Sequence, residues 1–287
     1  MCTALSFKTH DTYFGRNLDY DFSYGEKIAI VPRTHPFLFR NGTRLENHFS
    51  IMGVAHMDGD YPLYYDAIND AGLGMAGLNF VGNAFYHKKS KTKTNVASFE
   101  LIPYILLQAK SVKEATSLLE KIEVTDEAYS ELFPPSALHW LISDLEESIV
   151  LEVQKDGIHI YPNPYGVLTN NPPFLEQINS LNLYYGLSSK DPENTLAPTL
   201  SKKKFYSRGL GTIGLPGDLT SSSRFVRAVF ARFHSVSPTD ESRSIHQYFH
   251  IMGMVEQVRG LCEVKEGEYE YTIYTSCYNL SKGLCYL

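Results

Sequence analysis

The sequence predicts an α+β protein built on antiparallel sheets, and three features carry that prediction. Strand-like alternation dominates both ends of the chain, helical periodicity falls between, and no regular strand–helix–strand alternation links the two. With 43% hydrophobic residues over 287 positions, the chain can bury one large core, so residues 1–287 are expected to form a single domain.

Taken in order, residues 2–7 and 12–18 alternate or carry β-forming side chains, with "KTHD" (8–11) as the turn between them. Further strands are expected at "KIAIVP", "HFSIMGV", "GLGMAGLNF", "LHWLISD", "SIVLEV", "GIHIYP" and "EYTIYTSC". Within 98–122, "LIPYILLQA" (101–109) reads as a buried helix, and "SVKE" offers a capping box from Ser111 to Glu114. The run "SSRFVRAVFARFH" (222–234) places Phe225, Val229 and Phe230 on one side of a helix. In 240–258, Ile245, Phe249, Met252 and Val255 recur at helical spacing. The polar stretch 186–207 reads as a surface excursion. "GLGTIG" (209–214) matches a dinucleotide-binding pattern, but it follows polar "SKKKFYSR" and runs into "LPGD". That context denies it the strand before and the helix after that the pattern needs, so a tight loop is expected.

Composition narrows the function classes. Net charge is −6, from 26 basic and 32 acidic residues, and no basic block is long enough to track phosphates, so nucleic acid is not an expected partner. The N-terminus lacks a basic segment followed by an apolar stretch, and no apolar run reaches membrane-spanning length. Four cysteines stand at 2, 262, 277 and 285, without CxxC, HExxH or a close His/Cys cluster. They read as free thiols in a reducing compartment, which predicts a cytoplasmic protein with no metal and no cofactor.

The chemistry concentrates at the N-terminus. In a hairpin closed near residues 8–11, cross-strand partners sum to roughly 18–20. Cys2 then lies opposite Arg16 or Leu18, both on its face, and Asp19 follows as the strand ends. A free cysteine has a pKa near about 8.5, and an adjacent guanidinium favours the nucleophilic thiolate. With Met1 removed, Cys2 also carries an α-amine, of ordinary pKa about 7.7–8.0, which can hold the proton. The competing reading is an exposed terminal cysteine beside an ordinary surface ion pair.

"MCTALSF", "FGRNLD", "GLGMAGLNF", "GVLTNNP", "GLPGD" and "SSRFVR" resemble, in order and across essentially the whole chain, successive blocks of the choloylglycine hydrolase family. Bile salt hydrolases and penicillin V acylases make up that family. The resemblance implies the N-terminal nucleophile hydrolase fold, a four-layer αββα sandwich, with Met1 removed. It assigns Cys2 as nucleophile with its own amine as base, Arg16 beside the thiol and the scissile amide, and Asp19 to orient the amine. It makes Asn170 a donor to the oxyanion, Asn79 a second donor or a contact to the amide side, and Arg224 an electrostatic anchor. On their own, Asn170 and Asn171 before Pro172 read as turn chemistry, and spacing leaves open which of them faces the site; the family motif favours Asn170. Leu18, Tyr20, Tyr24, Tyr65, Phe133 and Leu138 are implied as walls for an apolar acyl group.

The implied partner is a small molecule, a glycine- or taurine-conjugated bile acid, and the implied assembly a homotetramer, with no membrane or nucleic-acid partner. Asn79 matters within the family, because bile salt hydrolases typically carry Asn there and penicillin V acylases Tyr. Two departures stand out. Relatives usually continue a few dozen residues past the segment that ends here at Leu287, and the loop "HMDGDYPLYY" (56–65) is polar and tyrosine-rich. The rival readings are a penicillin V acylase and a sterol-binding protein without turnover.

Overall fold

The computed structural model describes residues 1–200, 207–237 and 239–287. Its framework is a hairpin of β1 (Cys2–Lys8) and β2 (Thr12–Tyr20), paired antiparallel from Cys2 opposite Leu18 to Lys8 opposite Thr12. The hairpin lies inside a six-stranded antiparallel sheet: Val167–Leu168, β1, β2, Cys277–Asn279 and Leu284–Tyr286 in order, with Tyr271–Thr275 also pairing with β2. A second antiparallel sheet has seven strands, in the order Gly157–Pro162, Ser148–Gln154, Leu138–Ser143, Gly74–Asn79, Tyr61–Asn69, Ile51–Asp58 and Lys27–Val31.

The sheets pack face to face because alternate residues on each are small or apolar. Ala4 and Phe14 from the hairpin cluster with Ala76, Leu78, Leu141 and Val150 from the second sheet. Gly74 makes room for the Phe14 ring, since a Cβ there would lie 2.6 Å from it. Outside the first sheet lie helices α4 (Ser221–His234) and α5 (Glu241–Gly253), which bury Phe225, Val226, Tyr248 and Met252. Outside the second lie α1 (Leu101–Leu106) and α2 (Val112–Leu119), packed on Met75, Trp140, Ile142 and Leu151. A short α3 (Phe174–Ser180) adds to the first core. The layers run helix, sheet, sheet, helix. Each fully buried Leu, Ile or Phe contributes roughly 1.5–3 kcal/mol, so these two cores dominate the stability.

Four local expectations need correction. β2 runs to Tyr20, so Asp19 lies inside the strand; the antiparallel neighbour Tyr271–Thr275 extends it there. The helical region 98–122 divides into a 3₁₀ turn at Ser98–Glu100, then α1 and α2. Only half of the capping box forms: Ser111 accepts from the Glu114 amide at 3.3 Å, whereas Glu114 accepts from the Lys110 amide at 3.0 Å. In α4 the buried side carries Phe225, Val226 and Ala228 together with Arg224 and Arg227, while Phe230 is half-buried. Of the excursion 186–207, residues 201–206 lie outside the described residues, and 191–196 and 198–200 are exposed. "GLGTIG" forms a 3₁₀ turn, Leu210–Thr212, between Gly209 and Gly214 in left-handed conformations.

Candidate active site

Strand alternation sorts the hairpin residues onto two faces. Ser6 meets Ser143 of the second sheet at 2.7 Å and Arg16 reaches the Gly77 carbonyl, so Cys2, Arg16 and Leu18 share the face between the sheets. Thr3 and Asn17 point the other way, toward the helices: Arg224 donates to the Thr3 hydroxyl at 2.6 Å, and Asn17 Nδ2 donates to the Met252 carbonyl at 3.1 Å. Asp19 belongs to that second face. The observed register sets Cys2 opposite Leu18 rather than Arg16, which is two residues deeper beside Ala4.

Arg16 is fully buried and donates to Cys2 Sγ, to the carbonyls of Gly77 and Tyr65, the latter at 3.3 Å, and to its neighbour's carbonyl. Burial opposes its charge, but Cys2, Tyr274, Asp66 and Asp19 together outweigh that and push its pKa up. A permanent cation therefore touches the thiol. Asp66 is equally buried; it accepts from the hydroxyls of Tyr274, Tyr278 (2.7 Å) and Ser276 (2.8 Å). Burial raises its pKa against the opposing pull of Arg16. The sequence reading missed this acid, because nothing in "YYDAIN" separates it from an ordinary strand position.

The terminus is held by a second set of groups. Asn170 Oδ1 accepts from the Cys2 amide at 2.7 Å and from Arg224 at 2.9 Å, and its Nδ2 donates to the Asn79 carbonyl at 2.8 Å. Asn171 turns away, donating to the Val81 carbonyl at 2.7 Å, so geometry brings Asn170 to the site. Arg224 is fully buried at the start of α4 and also donates to the Cys2 carbonyl and, at 3.1 Å, to that of Leu219. Thr272 donates to Asp19 Oδ1 at 2.6 Å, while buried Oδ2 has no hydrogen-bond partner among the described residues. Burial raises the Asp19 pKa, with Arg224 the strongest opposing charge. The chain-terminal ammonium donates to the Asp19 carbonyl at 3.0 Å and pairs with Glu270. Burial lowers its pKa, although Cys2 and Asp19 pull it up.

Two cavities open beside this cluster. The first, about 460 Å³, has Cys2 and Arg16 in its lining and includes Leu18, Tyr20, Tyr24, Tyr65, Phe133 and Leu138, all six expected wall residues. His56 of the 56–65 loop and Pro134, between Phe133 and Leu138, also line it, as do Phe99 and Tyr129, which were not anticipated. Tyr20 and Tyr24 of this lining both pack on Phe22, the first edge-to-face and the second tilted, with ring centroids 5.1 and 4.6 Å apart. The second cavity, about 480 Å³, is lined by Asn79, Asn170, Asn171, Ser221 and Glu270. Both share Met1, Tyr20, Asn79 and Val81. A molecule with an apolar body and a polar end has room to span the two, with the thiol in the wall of the first. Among the described residues no group of His, Cys, Asp and Glu is placed to hold a metal ion, and no helix is long and apolar enough to cross a membrane.

Known proteins resemble the chain over its whole length. A curated relative from Lactiplantibacillus plantarum, named bile salt hydrolase/transferase, is 49% identical over 286 residues, covering 100% of this chain and 88% of that one. A bile salt hydrolase/transferase of Clostridium perfringens is 36% identical, again over 100% of this chain and 88% of the relative. The crystal structure of a mutant conjugated bile acid hydrolase from Clostridium perfringens superposes with a TM-score of 0.90 at 34% identity, over 100% of this chain and 88% of that one. Penicillin V acylase from Agrobacterium tumefaciens shares the fold, with a TM-score of 0.75 at 21% identity over 99% of this chain and 81% of that one. A family model described as linear amide C–N hydrolases, choloylglycine hydrolase family, matches residues 2–287, and the chain belongs to that family.

Proposed function

We propose that the protein hydrolyses the amide of glycine- or taurine-conjugated bile acids through Cys2. The observation that carries this reading is one contact set: a buried guanidinium on the thiol, in the wall of an aromatic cavity that adjoins a second cavity lined by Asn79, Asn170 and Asn171. Removal of Met1 turns the Cys2 amide nitrogen, now held by Asn170, into an α-amine, and Asp19 Oδ2 is the buried acceptor left to bind and orient it.

The chemistry then follows in two halves. Cys2 thiolate attacks the carbonyl carbon, and the carbonyl oxygen becomes an oxyanion facing the side-chain amides of Asn79 and Asn170. Asn170 Nδ2 spends one hydrogen on the Asn79 carbonyl and keeps a second for the oxyanion. One such donor is worth about 10²–10³ in rate. The C–N bond breaks, and the departing amine takes a proton from the Cys2 α-ammonium, leaving a thioester. The neutral α-amine then accepts a proton from water as that water attacks; the C–S bond breaks and thiolate returns. The apolar acyl group occupies the aromatic cavity and the amino acid the one lined by Asn79 and Asn170.

Asn79 supports bile acid conjugates over penicillin V, because its short amide leaves room for a polar leaving group. We expect kcat/KM for a conjugated bile acid to exceed that for penicillin V by at least about tenfold, about 1.4 kcal/mol. Steady-state kinetics on both substrates with reductant tests this; equal or reversed specificity would assign the acylase activity instead. Substrate binding without release of amino acid would leave only a sterol-binding protein. The proposed setting is the cytoplasm, and the proposed assembly a homotetramer.

A further inference from the structure

We propose that His139, paired with Glu152, is a positioning residue that clamps the peptide bearing Asn170. Both side chains are fully buried and lie outside the two cavities. His139 sits beside the end of the strand that delivers Asn79, since Leu138 pairs with Asn79 and His139 with Leu78. Its ring stacks on Phe80 with centroids 4.2 Å apart and planes 7° from parallel. Its Nε2 donates to the Thr169 carbonyl at 2.7 Å, and its Nδ1 faces Glu152 Oε1 at 3.4 Å. Glu152 in turn accepts from the Phe174 amide at 2.8 Å, at the start of α3, and from Gln154 at 3.0 Å.

The peptide between Thr169 and Asn170 is therefore held at both ends. Its carbonyl accepts from His139, and its N–H donates to Ser221 Oγ at 2.8 Å. That fixes the plane from which the Asn170 side chain reaches the Cys2 amide. The same imidazole packs on the residue after Asn79, so one ring ties together the two segments that carry both proposed oxyanion donors. An apolar pair would fill this volume without the desolvation cost of two ionisable groups. What it would not supply is a donor aimed at the Thr169 carbonyl, and a donor misplaced by about 1 Å costs on the order of 10²-fold.

This inference rests on the amide-hydrolase reading, and the experiment separates the two. His139→Phe alone would leave Glu152 buried without its partner, so the pair is changed together. H139F/E152Q keeps the stack and removes the donor, while H139Q/E152Q removes both ionisable groups and keeps a donor. The first is expected to lose about 10–100-fold in kcat with KM for a glycine-conjugated bile acid within about twofold and Cys2 alkylation at the wild-type rate. The second is expected to stay within about threefold of wild type. Ser221→Ala, at the other end of the same peptide, gives an arm that does not depend on H139F/E152Q folding and should lower kcat about 3–10-fold. Wild-type kcat in H139F/E152Q or in S221A overturns the clamp, as does an equal loss in both double variants. An inactive wild type overturns the amide-hydrolase reading instead.

Discussion

Replacing Arg224 with Met probes the electrostatics that hold the terminus. The guanidinium is fully buried and makes four hydrogen bonds, to the Cys2 and Leu219 carbonyls, the Thr3 hydroxyl and Asn170 Oδ1. Charged bonds of this kind are worth about 1.5–3 kcal/mol each, offset by the desolvation that methionine avoids. Removing one charge of a buried cluster typically costs about 3–5 kcal/mol, and at this chain length that lowers Tm by roughly 5–8 °C. The loss also has a pH signature. Asp19 has a folded pKa raised above 3.8 by burial, with Arg224 the leading charge holding it down, so the variant raises it further. A carboxyl that keeps its proton longer in the folded state destabilises as pH rises from its unfolded pKa through its folded one. The deficit of R224M should therefore be smallest near pH 4 and grow toward neutrality. Adding D19N should remove that slope and recover part of the stability. Urea unfolding across that range measures it; a deficit below about 1 kcal/mol, or one flat with pH, would refute the reasoning.

Other consequences are equally direct. A Cβ at Gly15 would lie 2.0 Å from the Ser276 carbonyl, so Gly15→Ala should cost about 3 kcal/mol or more, while Gly217→Ala, with nothing within 4 Å, should be neutral by thermal melt. Hydroxyls of Ser223 and Thr220 hold Asp218 down to about 2, a stabilisation present above its unfolded pKa of 3.8 and lost as pH falls toward 2. The Tm gap between wild type and D218N should therefore shrink from pH 5 to pH 2, and an unchanged gap would contradict it. Limited iodoacetamide should label Cys2 first, with activity lost in step, because burial pushes Cys285 up to about 12 and Cys277 higher still. Loss of activity that tracked Cys262 labelling, read by peptide mapping, would move the nucleophile.

How much of this was legible follows from sequence distance. The hairpin that brings Arg16 to Cys2 is closed within 18 residues, so alternation and a turn sufficed to foresee the contact. Its end was misplaced because the strand that extends β2 lies some 250 residues away, where Thr272 meets Asp19. Separations of 208 to 212 residues hid the Asp66 cluster, whose tyrosines and serine stand at 274–278 and look individually like strand residues. In α4 hydropathy favoured Phe230 for the buried side, yet Arg224 and Arg227 take buried positions. Arg224 reaches the Cys2 carbonyl, the Thr3 hydroxyl and Asn170 Oδ1, and Arg227 the Met254 carbonyl, all distant in sequence, which no local pattern reveals. Asn170, Asn79 and Arg224 were reachable only through motif resemblance, since each alone reads as ordinary turn, strand-edge or helix-start chemistry.

The central claim is that the α-amine of Cys2 is the base, and one preparation tests it. The protein is released from a cleavable fusion in two forms, one beginning at Cys2 and one retaining a single residue before it, each verified by intact mass. The account predicts amino-acid release from a conjugated bile acid by the first form only, with equal Tm for both. Equal kcat in the extended form, whose amine is tied up in a peptide bond, would contradict it.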